Sequence, residues 1–455
     1  MRWEMVPDAA ACLEDILSEE GRVIKRSPAK DVRVCEHGGR TYYVKRYLHG
    51  VHPLRPLKYR FKPSPARQEW ELASELERRG IPVVRHLALG ERWQGLGLQE
   101  SVLVTEGFDG QPVRCDMADE ASAVLSFVER MHDAGVLQKD LHGANLLCHP
   151  DTGEMRMVDL YGSELHDSLT PEARRHNLAV LRITLPIPVS EEVMALSRAL
   201  RREVMHHRSK RVWKYNREFE PLVAGRVRWQ VRLPQEQAAV TGILKDPDGF
   251  LSSRARLLKS GHSSTVGAAD GVVLKRYNLK KPINMVKDLF RPCRAMRAFR
   301  LGHHLELVGI PTARPLAAGV RRRAGLTVAS YFLMEELIGA LPLAEAKQDQ
   351  SFLVAAVARL VGHLHDEGFS HRDLKISNLM VGPKGQLYLI DLEGLAFVGR
   401  VRMRRAHADL ARLQRSALTI PHLERGWLRQ FLRAYCQVRH IRGRAATQFL
   451  RWATS

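Results

Sequence analysis

Eight consecutive residues, His371-Arg372-Asp373-Leu374-Lys375-Ile376-Ser377-Asn378, carry side chains suited to phosphoryl transfer. That chemistry needs a carboxylate to orient an acceptor hydroxyl, oxygen donors for Mg²⁺, and a cation on the nucleotide phosphates. Asp373 is the candidate catalytic carboxylate. Asn378, five residues on, offers an amide oxygen to a metal. Asp391, in Asp391-Leu392-Glu393-Gly394, follows 13 residues later and offers a second oxygen donor. Lys275 ends an alternating apolar stretch 98 residues before Asp373 and is the candidate phosphate lysine. The set recurs as Lys45, Asp140, Asn145 and Asp159, with 95 residues from Lys45 to Asp140 and 14 from Asn145 to Asp159. A lone strand lysine usually marks a solvated surface, and a lone Asp-to-Asn spacing signifies little. The ordered combination, with an apolar strand before Asp-x-x-Gly, is specific. His371 reads as a packing residue, since Gln138 stands in its place in the first set. His132 and His365, near the ends of the preceding helical stretches, read as structural hydrogen-bonding residues.

These residues sit in matching surroundings. MHDAGVLQKDLHGANLL (131–147) matches LHDEGFSHRDLKISNLM (364–380) at an offset of 373 − 140 = 233. YVKRY (43–47) matches VLKRY (273–277) at 230, and ELERRGIPVVRHLALG (75–90) matches HLELVGIPTARPLAAG (304–319) at 229. MVDLYG (157–162), RRHNLAVL (174–181) and LPIP (185–188) have counterparts in LIDLEG (389–394), RAHADLARL (405–413) and LTIP (418–421). Six segments in one order at nearly constant offset mark a duplication of about 230 residues, far longer than a solenoid repeat. The expected domains are 1–225 and 226–455, separated by the basic, polar stretch Arg226–Gln237.

Each half repeats one pattern. Thr41–Tyr47 and Val272–Tyr277 alternate as strands, and Ser101–Thr105 and Tyr331–Met334 read as strands leading into a connector. Helical spacing covers Pro65–Arg79, Arg294–Leu307, Ala121–Ala134 and Phe352–Glu367. Gly135 and Gly368 stand where the last two should stop. Leu146–Cys148 with Met155–Leu160 forms a hairpin pattern, repeated around Gly382-Pro383-Lys384-Gly385. Strands precede helices, so each half predicts a two-lobed α+β unit.

Composition bounds the partners. The 455 residues are 45% hydrophobic, enough for two cores, and Lys plus Arg (71) over Asp plus Glu (50) gives a net charge of +21. Such a surplus implies an anionic partner. It is concentrated in three segments, Lys45–Arg67, Lys275–Arg297 and Arg198–Arg217. Near an anionic lipid surface each basic residue contributes ~1 kcal/mol. Trp427–Tyr435 is amphipathic, with Leu428, Phe431, Leu432 and Tyr435 on one face and Arg425, Arg429 and Arg433 on another. Six scattered cysteines form no CxxC pair, which excludes a zinc site or disulfide framework of that kind. The first residues do not read as a signal peptide, and no apolar run approaches the ~18 residues of a membrane span. Scattered thiols suit the cytoplasm. Nucleic acid ranks low as a partner because no recognisable module is present.

With the Lys-Arg-Tyr strand ends, Gly309-Ile310-Pro311-Thr312-Ala313-Arg314-Pro315-Leu316 and His407-Ala408-Asp409-Leu410-Ala411-Arg412-Leu413, the sequence resembles the protein-kinase-like superfamily. More narrowly, it resembles the bacterial lipopolysaccharide kinase family, which phosphorylates heptose or Kdo sugars of the inner core. The resemblance runs over nearly the whole chain, once per half. It implies two tandem protein-kinase-like domains, each with an antiparallel-sheet N-lobe and a helical C-lobe. It implies ATP and Mg²⁺, and an anionic sugar or glycolipid acceptor met at the cytoplasmic face of the inner membrane through peripheral contact.

On that resemblance Asp140 and Asp373 are catalytic bases, and Asn145, Asp159, Asn378 and Asp391 bind Mg²⁺. Lys45 and Lys275 pair with ATP phosphates, and Lys375 holds the transferring phosphate. Thr105-Glu106 and Met334-Glu335 line the adenine hinge, and Asp409, with Asn177 as counterpart, anchors the catalytic loop. Glu69 fits as the helix partner of Lys45. The sequence departs from the pattern at Ala298, which stands where Lys275 should find a glutamate, and at His142, which replaces Lys375. Neither half has a clear G-x-G-x-x-G loop; Gly261-His262-Ser263-Ser264-Thr265 could cover phosphates instead. The alternatives are a protein serine/threonine kinase and a pseudokinase scaffold with one or both halves inactive.

Overall fold

The computed structural model describes residues 1–50, 55–233, 238–278, 291–346, 348–418, 420 and 426–452. Lys280, Lys281, Lys287 and Arg425 of the expected basic surfaces lie outside them. The chain forms two compact units, Met1–Arg201 and Arg202–Ser455.

The first unit opens with an antiparallel sheet in the order Arg2–Met5, His86–Gln94, Gly97–Glu106, Arg40–Leu48, Lys30–His37, Arg22–Ser27. Alternation along Arg40–Leu48 buries Tyr42 and Val44 against Leu87, Ala88, Val102 and Val104. The helix Pro65–Arg78 packs on this sheet. It starts sharply because the Ser64 hydroxyl accepts the Arg67 N–H and Pro65 takes the first turn, where no donor is needed. Helices Ala118–Asp133, Pro171–Leu181 and Glu191–Ser209 follow, the last running across the boundary between the units. The hairpin Leu146–Cys148/Met155–Met157 lies over a core of Val124, Phe127, Val128, Met131 and Leu141.

The second unit repeats five of these six strands in the same order: Pro315–Arg323, Leu326–Glu335, Val272–Tyr277, Ser264–Ala269, Arg256–Ser260. Two strands, Phe219–Ala224 and Val227–Arg232, extend the sheet at the Pro315–Arg323 edge. The stretch expected to separate the halves is therefore partly a strand of the second sheet, with Val227, Trp229 and Val231 buried on one face. Val212 and Phe219 also pack in this unit's core, so the compact units divide at Arg201, ahead of 225. Helices Arg294–Leu307, Gln350–Asp366, Met403–Ala417, Trp427–Val438 and Arg444–Trp452 complete the unit.

Trp427–Val438 turns Phe431, Leu432 and Tyr435 inward and leaves Arg429 and Arg433 exposed. Gly362 permits its approach to Gln350–Asp366: a Cβ there would lie 2.8 Å from Val438 Cγ1. The apolar face of this amphipathic segment is thus core, and its arginine face is surface. Among the described residues no helix is long and apolar enough to cross a membrane.

Candidate active site

In the first unit Lys45 extends from the Arg40–Leu48 strand to Glu69 on the Pro65–Arg78 helix, with Nζ 2.7 Å from Oε2. Its Nζ is also 3.6 Å from Asp159 Oδ1. Burial works against the charged lysine, but the Glu69 and Asp159 carboxylates outweigh it and hold its pKa above the ordinary value. The Tyr47 hydroxyl donates to Glu69 Oε1 at 2.6 Å, satisfying the second carboxylate oxygen. Asp140 is exposed. The side-chain amide of Asn145 donates to the Asp140 carbonyl at 3.0 Å, which leaves the amide oxygen as its donor to a cation.

The second unit closes the same circuit differently. Lys275 Nζ lies 2.8 Å from Asp391 Oδ1 and 2.8 Å from Glu393 Oε1. Burial pushes the Asp391 carboxyl up, but the Lys275 ammonium beside it prevails and holds it below the usual carboxylate range. Ala298 is buried in the core and contributes no charge. Asn378 Nδ2 donates to the Asp373 carbonyl at 2.8 Å, repeating the Asn145 contact. Lys375 Nζ is 2.8 Å from Asp373 Oδ2; its counterpart His142 stands 3.7 Å from Asp140 Oδ2. The turn Gly261–Ser263 joins two strands at the sheet edge beside Lys275, where a phosphate-covering hairpin would lie.

Both Asp159 (φ 54°) and Asp391 (φ 60°) occupy the left-handed region, which disfavours most residues with a Cβ. A hydrogen-bonded frame holds them there. His371 Nε2 contacts the Asp391 carbonyl at 3.0 Å while its Nδ1 accepts the Asp373 N–H at 3.2 Å. Burial lowers the His371 pKa, so the ring is neutral and can both donate and accept. Gln138 repeats both contacts with its amide: Nε2 donates to the Asp159 carbonyl and Oε1 accepts the Asp140 N–H. Asp409 accepts from Ser370 Oγ at 2.7 Å and from the His371 N–H at 3.0 Å, and lies 3.3 Å from His365 Nε2. Asn177 does the converse, donating to the Gln138 carbonyl at 2.7 Å, with His132 3.0 Å from its oxygen.

Glu106 and Glu335 end the central strands that lead into the connectors. Their side chains are engaged by Arg40 and Arg85, and by Arg314.

A family model for the lipopolysaccharide kinase (Kdo/WaaP) family matches residues 13–199 and again residues 260–435. The chain belongs to this family. The family pattern thus occurs once in each compact unit, as the repeated lysine, aspartate and asparagine positions require. The 3-deoxy-D-manno-octulosonic acid kinase of Xylella fastidiosa (strain M23) is 33% identical over 156 residues, covering 32% of this chain and 62% of that protein. The lipopolysaccharide core heptose(I) kinase WaaP of Pseudomonas aeruginosa is 25% identical over 193 residues, 37% of this chain and 71% of that protein. The chain thus spans 62% of the length of the Xylella relative. A solved structure described as WaaP in complex with acyl carrier protein is 22% identical, covering 46% of this chain and 94% of that one, with a TM-score of 0.33.

Against the Kdo/WaaP pattern, the donors in each unit suit a hard divalent cation: an aspartate carboxylate and an asparagine amide, with no sulfur or imidazole among them. Among the described residues no cluster of three His, Cys, Asp or Glu side chains offers a rival metal site. Sequence spacing missed Glu393 as a lysine partner. Its only signal was an acidic residue in the Asp-x-Glu-Gly turn, paired with a missing helix glutamate.

Proposed function

We propose that the chain is an ATP- and Mg²⁺-dependent phosphotransferase acting on a sugar hydroxyl of lipopolysaccharide inner core or a related anionic glycolipid. The observation that carries this is the convergence, in each unit, of an inward-pointing lysine on the turn aspartate, the partly buried Lys45 on Asp159 and the buried Lys275 on Asp391. Family membership and the printed names of the relatives support the sugar acceptor.

In this reading Asp140 and Asp373 orient the acceptor hydroxyl and accept its proton. Lys45 and Lys275 hold the nucleotide phosphates, and Lys375 steadies the transferring group. Asn145 with Asp159, and Asn378 with Asp391, would hold Mg²⁺, which would neutralise phosphate charge. Positioning and charge neutralisation supply the catalysis, with no covalent enzyme intermediate. The helix carrying Asp409 begins at Met403, twelve residues after Asp391, and the strand Leu395–Phe397 fills part of the interval. That leaves no room for a peptide platform and favours a compact acceptor over a protein substrate. The exposed Arg429 and Arg433 and the +21 charge fit peripheral contact with an anionic membrane face in the cytoplasm.

The test is phosphate transfer from ATP to purified inner-core glycolipid, followed by mass spectrometry, for the parent, Asp140→Ala, Asp373→Ala and the double variant. Loss of all transfer in the double variant is expected. A parent protein that neither transfers phosphate nor binds ATP with Mg²⁺ would sink the reading.

A further inference from the structure

The two nucleotide-side clusters hold the same charges on transposed positions. In the first unit the members are Lys45, Glu69, Asp159 and Lys30, whose Nζ sits 4.9 Å from the centre of the Tyr47 ring. Lys30 pairs with Tyr47 in sheet register. In the second unit Ser264 occupies the register position opposite Tyr277, so the neighbouring strand offers no second lysine there, and Lys275 itself stands 5.2 Å from the Tyr277 ring centre. Arg294, the first residue of the Arg294–Leu307 helix, reaches it instead, its guanidinium 4.8 Å from the Tyr277 ring centre. The carboxylate has moved as well, from the helix (Glu69; Ala298) to the turn (Tyr161; Glu393). Arg294 hydrogen-bonds Glu393, and its Nη1 donates to the Ser263 carbonyl at 3.3 Å. Each cluster keeps two cations and two carboxylates around one tyrosine.

We propose that Glu393 is the positioning residue for Lys275, taking over the task of the absent helix glutamate, with Arg294 as its anchor. This deepens the phosphotransferase reading and rests on it: the second unit is a working nucleotide site, not one decayed at Ala298. A glutamate at both 298 and 393 would crowd three carboxylates, Asp391 included, around one ammonium in a part-buried site, which like-charge repulsion disfavours. Ala298 is therefore the complement of Glu393. The transposition also changes what the lysine depends on. In the first unit the counter-ion rides on a helix, so any helix movement breaks the pair. In the second, Glu393 lies two residues from Asp391, so the counter-ion and the aspartate that meet Lys275 are set by one turn. Arg294 further ties that turn to the Gly261–Ser263 hairpin.

The test uses the full chain carrying Lys45→Met to silence the first unit, with ATP–Mg²⁺ binding measured by calorimetry. Glu393→Gln should weaken binding about tenfold or more, and Ala298→Glu added to Glu393→Gln should restore it to within about threefold. Unchanged binding in Glu393→Gln overturns the proposal. So does failure of Ala298→Glu to rescue while the melting temperature stays at the parent value. A thermal double-mutant cycle of Lys275→Met with Glu393→Gln reads the pair without nucleotide. Additive shifts overturn the pairing. Coupled shifts in a protein that binds no nucleotide would keep the pair and sink only the phosphotransferase reading.

Discussion

Gln138 joins the two aspartates of the first unit, its Nε2 donating to the Asp159 carbonyl at 3.1 Å and its Oε1 accepting the Asp140 N–H at 3.3 Å. His371 makes the same two contacts in the second unit with its ring nitrogens. An amide and a neutral imidazole each present one donor and one acceptor, so they are interchangeable here as hydrogen-bonding bridges. Gln138→Ala orphans a carbonyl and an N–H, which costs roughly 1–3 kcal/mol per buried group. We expect Gln138→Ala to lower both the melting temperature and turnover by the first unit. Gln138→His should preserve them. Thermal melts and kinetics in an Asp373→Ala background check this; equal loss in Gln138→His and Gln138→Ala would refute the bridge.

The buried Lys45–Glu69 pair gives a second expectation. Glu69→Ala removes the acceptor of the Tyr47 hydroxyl but leaves the Lys45 ammonium the Asp159 carboxylate 3.6 Å away. Breaking one side of a buried pair costs on the order of 3–5 kcal/mol. Lys45→Met strands the more deeply buried Glu69 carboxylate with only the Tyr47 hydroxyl as partner, so it should be more destabilising than Glu69→Ala. Denaturant midpoints for the two variants decide the order.

Asp409 accepts hydrogen bonds from the Ser370 hydroxyl and the His371 N–H, whereas Asn177 donates to a carbonyl in the matching place. An asparagine at 409 can accept with only one oxygen, and its amide nitrogen would face another donor. Asp409→Asn should lower stability by about 1–3 kcal/mol, or several degrees in melting temperature. Asn177→Asp should be harmful for the opposite reason, since its oxygens would face the Gln138 carbonyl. If both exchanges proved neutral by calorimetry, the two anchors would not be read correctly.

Much of this site was legible because order and spacing along the chain encode it. Lys, Asp, Asn and Asp recur at nearly one offset, and the chain order of strand, helix and hairpin is fixed by connectivity. Glu69 was found for the same reason, lying on the next helix after Lys45. Glu393 was not, because its adjacency to Lys275 joins residues 118 positions apart through tertiary packing, for which no spacing rule exists. The stretch Arg226–Gln237 misled through its charge. Its Val227, Trp229 and Val231 alternate at strand period, and burial of that face outweighs Arg226, Arg228 and Arg232 around them. Glu106 and Glu335 end their strands, and arginines across the surface, invisible in spacing, claim their side chains.

Acid should loosen the second unit before it affects catalysis by titrating the aspartates. Burial holds His304 at about 3 and His206 at about 4, with Arg300 near both, Lys210 and His207 near His206, and His303 near His304 adding to the effect. The two rings pack against each other and on Phe397, where a proton has no compensating carboxylate. Both folded values lie below the ordinary 6.5, so the unfolded chain binds protons that the folded unit excludes. Stability is therefore complete above pH 6.5 and falls as pH drops toward 4 and then 3. Melting at pH 7.5 and at about pH 4.5 should show the decline, and His304→Leu should make it shallower, since the titrating group is gone while apolar packing is kept. An acid dependence equally steep in His304→Leu would place the sensitivity elsewhere, in His365 and His371, whose pKa values burial also lowers, or in carboxylates such as Asp409 and Asp391 whose folded pKa values are depressed. Because the carboxylates lose their contribution only below the ordinary carboxylate range, the pH at which the decline begins separates them from the histidines.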